Sequence, residues 1–234
     1  LLDTILRGHS QIEVIEEKPM VRIAKSHLLT NIEPLEIEKL NEEIIKNCRK
    51  AYVEELNKHV SKISKTMVID KLPLNMLQIP LINRLFPNAK YIFAVRHPLD
   101  VLLSCFIQNF ELNPAMAQLL NLKTAVQFYT LAMSFFEACR SRYLIDVHFI
   151  KYENVVSNFD DAIKEVIDFL GLEWEGSLRE YQNTGMKRAY IATPSYSSVV
   201  EPLYESAVYR WESYEEELSR YIKHIRPWIN YFGY

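Results

Sequence analysis

Glycine is scarce in this sequence. Only five occur in 234 residues, and none forms a GxGxxG or Gly-Lys-Ser/Thr pattern, so no glycine-rich loop for cradling a nucleotide is present. Cysteine is scarcer still. Cys48, Cys105 and Cys139 lie far apart with no CxxC, which excludes a disulfide framework and points to a reducing, cytoplasmic setting. No apolar run approaches the roughly 18–20 residues of a membrane span. The net charge of -3 excludes a global basic field for nucleic acid or an anionic membrane. The six histidines show no HExxH or Cys/His spacing, so no metal is expected. A capping residue before Leu1 is also missing, although LLDTILRGHS is already in helical rhythm. The chain is therefore expected to continue upstream.

What is present is a sizeable core: 49% of residues are hydrophobic and 24% charged, enough for one large core or two small ones. Short apolar, β-rich stretches alternate with helical patterns. IEVI (12–15), TMVID (66–70), YIFAV (91–95) and VHFI (147–150) read as strands. Helices are expected over 1–9, 34–60, from Pro73 to about Phe86, from Pro98 to about Phe110, over 124–143, from Ser157 or Asn158 to Gly171, and over 205–228. Residues 176–204 read as a long loop. Such alternation predicts an α/β domain of three layers, a central parallel sheet with helices on both faces. With no repeat or linker, residues 1–234 read as one domain.

Ligands of such sheets bind at the carboxyl ends of the strands. The polar residues there are Glu16 and Glu17, Lys71, Arg96 and His97, and the run from Lys151 to Glu153. In KYIFAVRHPLDVLLSCF (90–106) a strand delivers Arg96 to a helix opened by Pro98, and Ser104 follows eight residues after the arginine. Ser104 lies about 9 Å along that helix at 1.5 Å per residue. An arginine fork and a serine hydroxyl suit one phosphate. The same residues also allow Arg96 to pair with Asp100 and Ser104 to cap a carbonyl. His97 and the C-terminal aromatics (Trp211, Tyr214, Tyr221, Trp228, Tyr231, Phe232, Tyr234) read as packing groups.

KYIFAVRHPLDVLLSCF resembles the 3′-phosphate motif of sulfotransferases that use 3′-phosphoadenosine 5′-phosphosulfate (PAPS). HSQIEVIEEKP resembles the Glu-Glu segment of tyrosylprotein sulfotransferases, DKLPLN the family's lysine turn, and IKYENVV its Arg-Tyr-Glu-Asp strand. TPSYSSVVEPLY and YRW resemble the C-terminal segment of bacterial sulfotransferases, including those joined to tetratricopeptide repeats. The matches stand in the family's order over nearly the whole chain. The resemblance implies a P-loop nucleotide hydrolase-like fold and sulfuryl transfer from PAPS to a hydroxyl or amine, with adenosine 3′,5′-bisphosphate (PAP) as product and no metal. It implies Glu17 as general base with Glu16 as rival, Lys71 beside the sulfo group, and Arg96 and Ser104 on the 3′-phosphate. Ser195 and Arg210 would contact the nucleotide phosphates and Tyr152 would lie near the adenine. Its first strand and 5′-phosphosulfate loop would precede Leu1. The partners implied are the nucleotide donor and an acceptor that no motif names. A nucleotide kinase of similar fold and a non-catalytic nucleotide-binding or interaction domain are the alternatives.

Overall fold

A computed structural model describes residues 1–28, 34–60, 67–186 and 207–234 of the chain. In chain order the elements are α1 (Leu2–Arg7), β1 (Ile12–Glu16), α2 (Met20–Ser26), α3 (Glu42–Asn57), β2 (Met67–Lys71), α4 (Ile79–Leu85), β3 (Lys90–Val95), α5 (Pro98–Ile107), α6 (Leu122–Tyr143), β4 (Asp146–Lys151), α7 (Tyr152–Ser157), α8 (Phe159–Leu170), α9 (Tyr181–Met186) and α10 (Glu215–Tyr231). Strands pair as two ladders, β1 with β2 and β3 with β4. The described residues gather into two compact units. One holds residues 1–28, 34–60, 67–91, 136–146 and 174–186; the other holds 92–135, 147–173 and 207–234.

In the first unit β1 and β2 run parallel, with Ile12 opposite Met67 and Glu16 opposite Lys71. Ile12, Glu13, Val14 and Ile15 are all buried, the two-sided burial that a covered parallel strand requires. Asn41 starts α3 by accepting the Ile44 N–H at 2.9 Å, a side-chain cap on an otherwise orphaned donor. Val21, Ile45, Cys48, Leu81 and Leu85 join α2, α3 and α4 in one core. The turn after α1 is anchored by Glu175, which accepts the Ser10 N–H at 2.8 Å and also the Ser10 hydroxyl.

In the second unit the core lies between α5, the start of α6 and α10, built on Leu99, Leu102, Ala125, Val126, Leu218 and Ile225. The aromatics Trp211, Tyr214, Tyr221 and Trp228 pack against it. Phe232 sits 6.3 Å from the rings of both Phe93 and Phe149 on β3 and β4. On α8 the buried positions Ala162, Ile163, Val166, Ile167 and Leu170 form one face. The helix stops at Gly171, whose φ of 76° is the left-handed stop that glycine adopts without strain.

One expectation needs correction, and two short helices stand where the sequence offered no reading. The predicted loop from 176 opens with a 3₁₀ turn, Gly176–Glu180, and then α9; its remainder to 204 lies outside the described residues. The stretch after Glu17 contains α2, which has no side-chain cap to announce it. A short helix, α7, follows β4 directly. All three cysteines are free.

Candidate functional site

The ends of β1 and β2 bring together Glu16, Glu17 and Lys71. Because the strands are parallel and in register, both carboxyl ends emerge side by side. The Lys71 ammonium donates to Glu16 Oε1 at 3.0 Å and to Glu17 Oε1 at 2.9 Å. Glu17 has φ 53°, in the left-handed region, and its N–H donates to the Lys71 carbonyl at 2.8 Å. Burial alone would push the Lys71 pKa down, but the bonds to Glu17 and Glu16 outweigh it and hold the amine above its ordinary range. Lys71 therefore stands as a cation at neutral pH. The two acids differ in access: the Glu16 side chain is 10% exposed and the Glu17 side chain 35%. Behind them Asp70 accepts the Tyr52 hydroxyl at 2.9 Å, and burial pushes its carboxyl upward.

In the second unit Arg96 leaves the end of β3 just before α5. The cap residue His97 is buried; its Nδ1 accepts the Leu99 N–H at 3.3 Å, and Pro98 supplies a first-turn residue that needs no N–H. The His97 ring stacks on Trp211 at 5.0 Å and 10°. Desolvation lowers its pKa to about 4, against an upward pull from Glu153, so the ring is neutral at physiological pH. His97 is thus a capping and packing residue.

Arg96 is held on three sides. A terminal nitrogen donates to the Ala207 carbonyl. The same nitrogen lies 3.7 Å from Asp100 Oδ2. The guanidinium carbon sits 5.3 Å from the centre of the Tyr152 ring, within cation–π range. Arg96 Nε and Asp100 Oδ2 are buried and form no hydrogen bond among the described residues. Asp100 Oδ1 accepts the Trp211 N–H at 2.8 Å, and burial raises the carboxyl's pKa. The pairing of Arg96 with Asp100, one of the two outcomes open from sequence, is thus present at ion-pair distance.

The other expected site residues are less gathered. Ser104 lies further along α5 and is exposed. Arg210 is exposed at the start of the 3₁₀ turn Arg210–Tyr214. Ser195 lies outside the described residues. Sequence reasoning did not foresee the role of Glu153, which accepts the His97 N–H at 2.9 Å and the Tyr234 hydroxyl at 2.5 Å. Its position just past β4 was the available signal. Among the described residues no group of three His, Cys, Asp or Glu side chains could hold a metal ion, and no helix is long and apolar enough to cross a membrane.

Comparison with known proteins bears on these arrangements. The model of the sulfotransferase family matches residues 1–176. A curated relative, an uncharacterized protein of Aquifex aeolicus (strain VF5), is 28% identical over 233 residues, 95% of this chain. The chain spans only 30% of that relative's length. Among solved structures, the sulfotransferase domain from the curacin biosynthetic pathway superposes with a TM-score of 0.56 at 18% identity, covering 90% of this chain and 85% of that one. The sulfotransferase domain from the Synechococcus PCC 7002 olefin synthase gives 0.54 at 19%, covering 91% and 82%. At such identities the likeness shows the fold, the α/β architecture of sulfotransferases.

Proposed function

The chain belongs to the sulfotransferase family, and from that premise we propose that it moves a sulfuryl group from PAPS to a hydroxyl or amine acceptor, releasing PAP. Residues 1–234 would serve as one transferase domain. The observation that carries the donor assignment is Arg96 Nε, a buried donor without a hydrogen-bond partner among the described residues. A guanidinium at a strand end with a donor nitrogen still unbonded suits a phosphate oxygen. Ser104 shares that 3′-phosphate in this reading, Arg210 and Ser195 contact nucleotide phosphates, and Tyr152 packs beside Arg96 and the adenine.

When bound, PAPS supplies the sulfuryl group. Glu17, the more exposed acid, takes the acceptor's proton as the new bond to sulfur forms. Lys71, held cationic by its two carboxylates, offsets negative charge near the sulfo group and its leaving oxygen. Glu16 anchors Lys71. The sulfo group carries less charge than a phosphoryl group, so the scheme contains no metal. Calorimetric titration tests the donor: PAP should bind tightly and ATP should not. Preference for ATP would favour a kinase; binding of PAP with no sulfate turnover across acceptor classes would favour a non-catalytic domain.

A further inference from the structure

We propose that Glu153 is a positioning residue for Arg96, fixing the turn that presents the guanidinium; the proposal rests on Arg96 as the phosphate ligand. His97 follows Arg96 directly, and as the cap of α5 its own N–H lies outside the helical bonding pattern. Glu153 Oε1 takes that N–H at 2.9 Å. A carboxylate on a backbone N–H is a charge-assisted bond, stronger than a neutral one. Glu153 Oε2 accepts the Tyr234 phenol at 2.5 Å, so the carboxylate is pinned at both oxygens. Burial, followed by the bond to Glu153, pushes the Tyr234 pKa up, which keeps the phenol a donor. Tyr234 is itself braced: the Lys151 ammonium lies 4.4 Å from its ring centre and donates to the Gly233 carbonyl at 3.0 Å.

The residue before Glu153 completes the device. Tyr152 puts its ring beside the guanidinium, while Glu153 holds the backbone one residue past Arg96. Two consecutive residues of α7 thus grip the head and the root of one arginine. An arginine fixed in this way surrenders less freedom on meeting an anion. The contribution of Glu153 should therefore appear only for ligands that use Arg96.

The test compares PAP with AMP, which lacks the 3′-phosphate, in wild-type protein and three variants. Glu153→Asp retracts the carboxylate by one methylene and should weaken PAP binding about 10-fold while leaving AMP within about 2-fold. Glu153→Gln keeps length and an acceptor oxygen and should stay within about 3-fold of wild type for both. Tyr234→Phe removes only the second partner and should cost about 3-fold for PAP alone; it carries the comparison if Glu153→Asp does not fold. Phenylglyoxal labelling of Arg96, read by peptide mass spectrometry without nucleotide, should accelerate in Glu153→Asp. Equal losses for PAP and AMP, or unchanged labelling, would mean that Glu153 only builds the fold and would overturn the proposal. Wild-type protein that binds PAP no better than AMP would overturn the phosphate assignment of Arg96 instead, and the labelling would still decide whether Glu153 holds the side chain.

Discussion

Lys71 and Glu17 are joined twice. The lysine's ammonium donates to the glutamate's carboxylate at 2.9 Å, and the glutamate's N–H donates to the lysine's carbonyl at 2.8 Å. The backbone bond extends the β1–β2 ladder one residue past the end of β1 and holds Glu17 in its left-handed conformation. The side-chain bond then keeps the carboxylate at the strand ends.

Glu17→Gln should keep PAP affinity and lower turnover by roughly 10²–10⁴, the range for losing a general base. The amide has the same shape but cannot take the proton. Glu16→Gln should matter much less, because Glu16 is the more enclosed acid and spends its oxygen on Lys71. Initial rates with a competent acceptor decide it; a dead Glu16→Gln beside an active Glu17→Gln would exchange their roles.

The conformation of Glu17 predicts a separate effect on stability. At φ 53° a residue with a Cβ carries strain that glycine avoids. Glu17→Gly should be about 1 kcal/mol more stable than Glu17→Ala, although both lose the same ion pair and both should be inactive. Urea midpoints of the two variants give the comparison, and an equal or lower midpoint for the glycine variant contradicts it.

Arg96→Ala should weaken PAP by about 2–3 kcal/mol, the scale of a lost charge-assisted interaction with phosphate. AMP should be nearly indifferent. Calorimetry on both ligands checks this, and parallel losses would remove Arg96 from the phosphate site.

His97 gives a pH signature. Its folded pKa of about 4 lies below the ordinary 6.5, so between these values the unfolded chain binds the proton more readily. Its stabilising contribution is complete above about pH 6.5 and is lost as pH falls toward 4, amounting to on the order of 3 kcal/mol. His97→Asn retains an acceptor for the Leu99 N–H but nothing to titrate, so its stability should vary less over this window. Urea unfolding at pH 7 and pH 4.5 measures the slope; an undiminished slope in the variant would assign the proton to another group.

The strand ends were legible because each short β-rich run gives way to consecutive charges or to arginine: IEVI to Glu16 and Glu17, MVI to Asp70 and Lys71, YIFAV to Arg96. The helix α8 was legible because its apolar face repeats and Gly171 marks the stop. The helix α2 was not, since it has seven residues and Pro19 in the cap position offers no side-chain acceptor. The partners of Arg96 were only half visible. Asp100 stands one helical turn away in sequence, but Ala207 is 111 residues distant, and no local pattern announces such a contact. The grouping of residues 136–146 and 174–186 with the N-terminal stretch was hidden for the same reason, since they rejoin it from far along the chain.

The register of β1 against β2 carries one more consequence, for folding. Glu16 stands opposite Lys71, and Ile15 opposite Asp70. If β1 slipped one residue back along β2, Glu16 would face Asp70, setting two acids side by side and turning the side chains of β1 to the opposite face. If it slipped the other way, Glu16 would lose its lysine to an apolar residue, Ile15. The last rung of the ladder therefore discriminates between the correct pairing and both of its nearest errors. Replacing Lys71 would take a cation from the candidate site, and it would also take from the newly forming ladder the rung at which a misaligned pair is rejected.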